Sequence, residues 1–415
     1  MGFNIKELAS EFKQARVKVV GIGGGGCNAV TRLAEMGLTG VDIIAVNSDH
    51  RALEACQAPI KILLGNGLGV GPNPERGREL ALEAKDRIRE VLEGADMVFV
   101  TACMGGGTGT GGAPVIAQLA REEGALVTGV VTKPSAVEGM SKIEMAERGI
   151  DLLKGEVDSL ILISNQKLTS LVDENTLLRD ALMMTSNILV TAVRSVLEPL
   201  FSRGIANIDF ADIKTAMTNR GLAIMGIGRA SGNERAIQAA DLALDCQLLE
   251  GISVEGAKAL LIYITGKDIR YAEANQAFNH IRERTGPNSF MKWGASDKAQ
   301  DLGDGEIQVI VIATGFDQAE AKKTRSDVTG DVRRTRSDIF SADYAGQPQS
   351  YLERLKSERE RRSMANNAQQ SSGAKAIPDS SDRLDDYDLE GFDKVASAQG
   401  APRTTSLKFW KRRPD

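Results

Sequence analysis

The sequence predicts an α/β protein: a doubly wound parallel-sheet domain, a long central helix, a second α+β domain and a disordered C-terminal tail. Three observations predict it. Apolar runs such as "VKVVGIG", "VDIIAVNSD", "ADMVFVTAC", "ALVTGVVT" and "SLILIS" alternate with amphipathic helical patterns from the start of the chain. Those runs are continuous rather than alternating, as parallel strands buried on both faces require. Glycine-rich stretches stand directly behind two of them, where a strand hands over to a helix.

"VKVVGIG" is a β-branched strand running into glycines, followed by the helix pattern "CNAVTRLAEMGL". The strand "VDIIAVNSD" follows, then the loop "GNGLGVGPNPERGRE" and a charged helix, "LALEAKDRIREVLEG". The alternation closes a first domain over residues 1–176. From Leu177 to Leu200, Leu178, Leu182, Ile188, Leu189, Val193 and Val196 form an apolar stripe at helical spacing, which predicts one long, largely buried helix within residues 177–203. A second globular region, 204–316, ends in "EIQVIVIATGF". Beyond Phe316 the composition turns to charge, Ser, Gln and Asn, so burial cannot offset ordering entropy, and a disordered linker is expected over 317–385. Aromatics return among charges in "DDYDLEGFDKV" and "SLKFWKRRPD", the pattern of a partner-docking tail over 386–415, with an inert solvated tip as the alternative.

The chain has 51 basic and 56 acidic residues, a formal net charge of -5, which gives no reason to expect nucleic acid as a partner. Cys27, Cys56, Cys103 and Cys246 have no paired spacing, and His50 and His280 are the only histidines. A disulfide framework, a zinc site and a histidine-based triad are therefore not expected, and no metal site built from protein ligands is marked. The N-terminus lacks an apolar signal region and no membrane span is expected, which together predict a cytoplasmic protein.

Gly21, Gly23 and Gly26 in "GIGGGGCN" satisfy G-x-G-x-x-G, the fingerprint of a Rossmann-like dinucleotide site. Glycines there let backbone N–H groups approach phosphate oxygens at a helix N-terminus. A dehydrogenase would add an acid for the ribose; "AVNSD" offers Asn47 or Asp49. A second cradle, Gly105 to Gly112, repeats the same logic with Thr108 and Thr110 as hydroxyl donors. Two cradles point to a triphosphate gripped from two strand ends. The P-loop spacing is absent and no lysine follows either run, so phosphate charge would be met by N–H dipoles and a bound cation, Mg²⁺.

"GGGTGTG" resembles the signature of the FtsZ and tubulin GTPases, and "GGGGCNAV", "GLGVGPNPERGR", "VVTKP", "EGMSKIEMAERGI", "NIDFADIKTAM" and "VIATGF" follow in the order of the FtsZ branch, covering Val17 to Phe316. The resemblance implies GTP and GDP as ligands with Mg²⁺, and K⁺ as a second candidate cation. It implies that Gly24, Gly25, Gly26, Cys27 and Asn28, with Gly106, Gly107, Thr108, Gly109 and Thr110, cradle the phosphates. Glu138 and Lys142 would approach the ribose.

By themselves Asp209 reads as the N-cap of "FADIKTAMTNRGL" and Asp212 as compensation of its dipole. The resemblance instead implies that Asn207, Asp209 and Asp212 complete the active site of the next subunit. That is a heterologous, head-to-tail contact that propagates into a polymer, here the filament of a division ring. Where the family carries an aromatic that stacks on guanine and an Asp/Asn pair that reads its edge, this chain has Leu182, Ser186 and Asn187. The tail lacks the family's Ile-Pro-x-Phe-Leu core for membrane adaptors and division regulators. These departures keep a second reading open, a divergent paralogue that binds GTP and co-assembles in a non-division or regulatory role. A dinucleotide oxidoreductase fits poorly with the duplicate cradle.

Overall fold

The computed structural model describes residues 15–38, 40–166, 176–201, 204–218, 221–245, 254–286, 289–297 and 302–316. The expected linker and tail, with "DDYDLEGFDKV" and "SLKFWKRRPD", lie outside the described residues, as does Cys246.

The first half alternates strand and helix as the apolar runs require: β1 (Val17–Ile22), α1 (Gly23–Glu35), β2 (Val41–Asn47), α2 (His50–Ala55), β3 (Ile60–Leu63), α3 (Pro74–Glu83), α4 (Lys85–Leu92), β4 (Met97–Cys103), α5 (Gly107–Glu122), β5 (Leu126–Lys133), a 3₁₀ turn (Ala136–Glu138), α6 (Met140–Lys154) and β6 (Ser159–Ser164). The long α7 (Leu178–Phe201) leads to α8 (Phe210–Met217), β7 (Gly221–Ser231), α9 (Arg235–Leu244), β8 (Ala259–Gly266), α10 (Tyr271–Thr285), β9 (Phe290–Ser296) and β10 (Glu306–Thr314).

All ten strands join one sheet in the order β3-β2-β1-β4-β5-β6-β7-β10-β8-β9. From β3 to β6 every pairing is parallel. The second region continues from β6 through a short parallel pairing of Ser159, Leu160 and Ile161 with Gly221, Leu222 and Ala223, and β10 runs antiparallel between β7 and β8. The chain leaves β1 for β2 on one side and reaches β4 on the other. That is the switch point where doubly wound sheets open a crevice beyond the strand carboxyl ends.

Both faces of the parallel sheet are covered. Val19, Ala29, Val30, Leu33, Phe99, Leu189, Val193 and Val196 pack on one side, placing α1 and α7 over it. Val20, Ile44, Leu80, Ile88, Val100, Ile116 and Leu153 fill the other. On α7, Leu189, Val190, Val193, Val196 and Leu197 are all buried. Each contributes roughly 1.5–3 kcal/mol relative to exposure, which suffices to fix a helix about 36 Å long along the sheet.

Three local features differ from the sequence reading. Strand β3 is an additional edge strand of four residues. The charged helical run divides at Ala84, whose φ of -94° and ψ of 7° separate α3 from α4. Most of both glycine runs forms the opening turns of α1 and α5 rather than a loop ahead of them.

Candidate functional site: two glycine-rich helix starts and a distant acidic cap

α1 begins after Ile22 and α5 after Gly106, and neither start carries a side-chain cap or an acidic residue in its first turn. The sequence supplies Ser, Asp or Asn caps elsewhere, as Asp49 does for α2 and Asn73 for α3. At α1 and α5 the orphan backbone N–H groups and the positive ends of the helix dipoles are left for an anion.

The two starts meet. A Cβ on Gly23, whose φ is +70°, would stand 3.0 Å from the Gly109 nitrogen, and one on Gly25 would stand 2.2 Å from the Cys103 Sγ. On Gly24 and Gly106 a Cβ would meet nothing within 4 Å. Gly24 and Asn28 are exposed, whereas Gly26, Cys27, Gly107, Thr108, Gly109 and Thr110 are buried. The open mouth of the cradle is therefore Gly24, Asn28 and Gly106, and the remaining expected residues form its floor.

Hydroxyls hold that floor. Ser48 Oγ and Thr108 Oγ1 are 2.6 Å apart and buried, joining the end of β2 to α5. Thr110 Oγ1 accepts from the Gly105 N–H at 2.8 Å and so shapes the turn. Gly107 seats the loop ahead of α3 and Gly111 the start of that helix: Cβ atoms there would lie 2.3 Å from the Gly71 oxygen and 1.9 Å from the Pro74 oxygen. The Cys27 thiol points away from the mouth, toward the Val46 carbonyl and Asn47 Nδ2. The neighbouring Cys56 thiol and burial push it well above the ordinary thiol range. Asp49, one of the two residues that could have met a ribose, uses its carboxylate to cap α2, accepting from Arg51 and Ala52 N–H.

Glu138 and Lys142 stand beside the cradle. Lys142 Nζ donates to Glu138 Oε2 at 2.6 Å, and a Cβ on Gly105 would lie 2.7 Å from Lys142 Cγ. No lysine follows the glycine runs in sequence, yet the fold lays this one over the second run. Burial works against ionisation of Glu138, but Lys142, the Ser135 N–H and Asn165 outweigh it and hold the carboxyl below its usual range. On α7, Ser186 is buried and Asn187 is exposed. The Asn187 amide oxygen accepts from Arg32 in the last turn of α1, about 12 Å along that helix from Gly24. Leu182 also lies in α7, with its side chain outside the described residues.

Asn207, Asp209 and Asp212 gather elsewhere. Asn207 Oδ1 accepts from the Gly204 N–H at 2.9 Å. Asp209 caps α8 by accepting from the Asp212 N–H at 2.8 Å, and Asp212 returns the bond to the Asp209 N–H at 3.3 Å. This reciprocal box satisfies two orphan donors. A further residue enters from β9: Lys292 Nζ lies 2.7 Å from Asp212 Oδ2. Burial opposes ionisation of Asp212, but Lys292 and Asp209 outweigh it and keep the carboxyl below its ordinary range. The carboxyl end of α8 receives the Ser159 hydroxyl on the Met217 carbonyl, at the amino end of β6. The cradles lie at the opposite, carboxyl ends of β1 and β4. Among the described residues no group of three His, Cys, Asp or Glu forms a metal cage; a Mg²⁺ here would be held chiefly by phosphate oxygens and water, as that ion commonly is.

A doubly wound sheet whose switch point joins two uncapped, glycine-built helix starts defines a protein that cradles nucleotide phosphates. The GTPase domain of the tubulin/FtsZ family matches residues 16–173, and the C-terminal domain of the FtsZ family matches residues 221–317. An empty FtsZ dimer from M. jannaschii is 34% identical, covers 83% of this chain and 99% of its own, and superposes with a TM-score of 0.70. CetZ2 from Haloferax volcanii, solved as a GTPγS-bound protofilament, shares the fold at 20% identity, with 78% and 100% coverage and a TM-score of 0.63. CetZ1 from the same organism, a GDP-bound monomer, gives 21%, 77% and 99%, and 0.65. The chain belongs to the FtsZ branch of the tubulin/FtsZ GTPase family, whose GTPase domain implies that it binds guanine nucleotide.

Proposed function

We propose that this protein hydrolyses GTP at the interface between successive subunits of a head-to-tail filament, and that the filament forms the cytoplasmic scaffold of the division ring. The observation that carries the proposal is the separation of the two half-sites. The uncapped starts of α1 and α5 offer N–H donors for phosphates at the strand carboxyl ends, while the carboxyl end of α8, the short helix that Asp209 and Asp212 cap at its start, abuts the amino end of β6. One subunit then binds GTP with Gly24–Asn28 and Gly106–Thr110, steadies the ribose with Glu138 and Lys142, and faces the base with Ser186 and Asn187. The next subunit brings Asn207, Asp209 and Asp212 to orient water. Phosphoryl transfer asks a protein mainly for positioning and charge stabilisation, which is what this division of labour supplies. Mg²⁺, with K⁺ as a second ion, would offset the charge of the triphosphate. The FtsZ dimer and the CetZ2 protofilament among the structural relatives support self-association.

Phosphate release from GTP, with ATP in parallel, across a series of protein concentrations tests the proposal. A rate per subunit near zero below a threshold and rising above it is expected; a concentration-independent rate contradicts it. The second reading, a co-assembling relative with a non-division or regulatory role, draws on Leu182 in place of a stacking aromatic and on the tail without its adaptor core. GTP binding and co-assembly without hydrolysis would favour it. Membrane adaptors and division regulators would dock on the tail. No helix among the described residues is long and apolar enough to cross a membrane.

A further inference from the structure

Lys292 stands on β9, the edge strand of the sheet, 80 residues beyond the acid it touches. Two features of the strand aim it. Trp293 stacks on Phe278 of α10, with ring centroids 4.6 Å apart. Successive strand residues point to opposite faces, so Lys292 emerges on the face away from that stack. Further along, β9 grips the acidic loop through its backbone: the Ile205 and Ala206 N–H groups donate to the Ala295 oxygen, and the Ala295 N–H donates back to Ala206. The segment from Gly204 to Asp212 is thus fastened to β9 at two points, by the backbone at Ala206 and by Lys292 at Asp212.

We propose that Lys292 is a positioning residue for hydrolysis, holding the Asp212 carboxylate in one orientation and offsetting the paired negative charge of Asp209 and Asp212 where they meet the nucleotide of the next subunit. The inference rests on the shared-site reading above. Two carboxylates brought against a triphosphate repel it, and one fixed ammonium reduces that cost. The Asp212 side chain is 16% exposed and that of Lys292 38%. The acid is therefore held from one side, and the lysine stem remains accessible to a neighbouring subunit.

The test compares Lys292→Met and Lys292→Arg with Asp212→Asn in the full chain. It measures GTP turnover, sedimentable polymer, nucleotide affinity below the assembly threshold, and the pH profile of turnover. Lys292→Met should lower turnover about tenfold, the scale of one charge-assisted hydrogen bond, with polymer mass and nucleotide affinity unchanged, and Lys292→Arg should restore most of it. The charged groups acting on Asp212 among the described residues are Lys292 from β9 and Asp209 from its own cap. Without Lys292, Asp212 takes up its proton at higher pH, so the acid limb of the turnover profile moves upward, a shift that a merely structural role would not produce. Unchanged turnover and acid limb in Lys292→Met, beside loss in Asp212→Asn, would overturn the inference and leave the shared site standing. Loss of polymer in proportion to turnover would also overturn it, making Lys292 an association residue. Full turnover in Asp212→Asn would remove the shared-site reading and the inference together.

Discussion

Ser48 and Thr108, 60 residues apart in sequence, bring their hydroxyl oxygens to 2.6 Å inside the core and so tie the end of β2 to the first turn of α5. The bond fixes where the first-turn N–H groups of α5 point relative to the end of β2. Thr108→Val keeps the shape and removes the hydroxyl, leaving Ser48 unsatisfied. It should cost about 1–3 kcal/mol in a denaturation experiment and weaken GTP binding. Ser48→Ala should cost less in combination with it than the sum of the two alone.

The glycines separate into two kinds by what surrounds them. At Gly111 an added methyl would sit 1.9 Å from the Pro74 carbonyl oxygen, so Gly111→Ala should destabilise the fold by about 1–3 kcal/mol or more. At Gly24 the space is open and the residue is already helical. Gly24→Ala should leave the melting temperature unchanged or raise it, since Ala favours a helix by about 1 kcal/mol over Gly, while a methyl in the mouth reduces nucleotide affinity. Thermal melts and GTP titration on the two variants check both halves.

Asp209 is the N-cap that its sequence suggests, and the fold alone would account for it. Asp209→Asn distinguishes capping from chemistry, because Asn caps as well as Asp. Stability should hold to within about 0.5 kcal/mol, while GTP turnover in the assembled protein falls. Equal turnover in the variant would reduce Asp209 to its cap.

Arg235 donates to both oxygens of Glu273, at 2.8 and 3.0 Å, across α9 and α10. The guanidinium holds the Glu273 carboxyl below its ordinary range. Its stabilising contribution is therefore complete above the unfolded value of about 4.3 and is lost as pH falls through the lower folded value. Glu273→Gln should be less stable than the parent at pH 7, and the difference should begin to shrink as pH falls below about 4.3 and go on shrinking through the lower folded value. Urea midpoints measured across that range supply the check.

The doubly wound order was legible because β1, β2, β4, β5 and β6 are continuous apolar runs separated by helical patterns, and the long helix because its apolar stripe from Leu178 to Val196 spans about five turns. The two cradles were legible as glycine runs, though not as helix. Glycine disfavours helix, and the close seating of Gly107 on Gly71 and Asn73 and of Gly111 on the first turns of α3 works against that preference. Strand β3 was missed because "IKIL" is four residues long and lies at an edge, with three of its four residues at least partly exposed. The break at Ala84 carries neither Gly nor Pro. Ser48 and Lys292 left no local signal: each acts through a partner 60 or 80 residues away, and such pairs are set by strand order rather than by spacing.

The measurement that bears most directly on a site shared between subunits is complementation. Asp212→Asn keeps the cradle and loses the acid; Gly106→Ala keeps the acid and obstructs the open mouth of the cradle. Each alone should turn over GTP slowly. Mixed, subunits that contribute an intact cradle meet subunits that contribute an intact loop, and turnover should rise well above that of either variant alone. Turnover equal to the average of the two variants at every ratio would mean that each subunit carries its whole site, and would contradict the account.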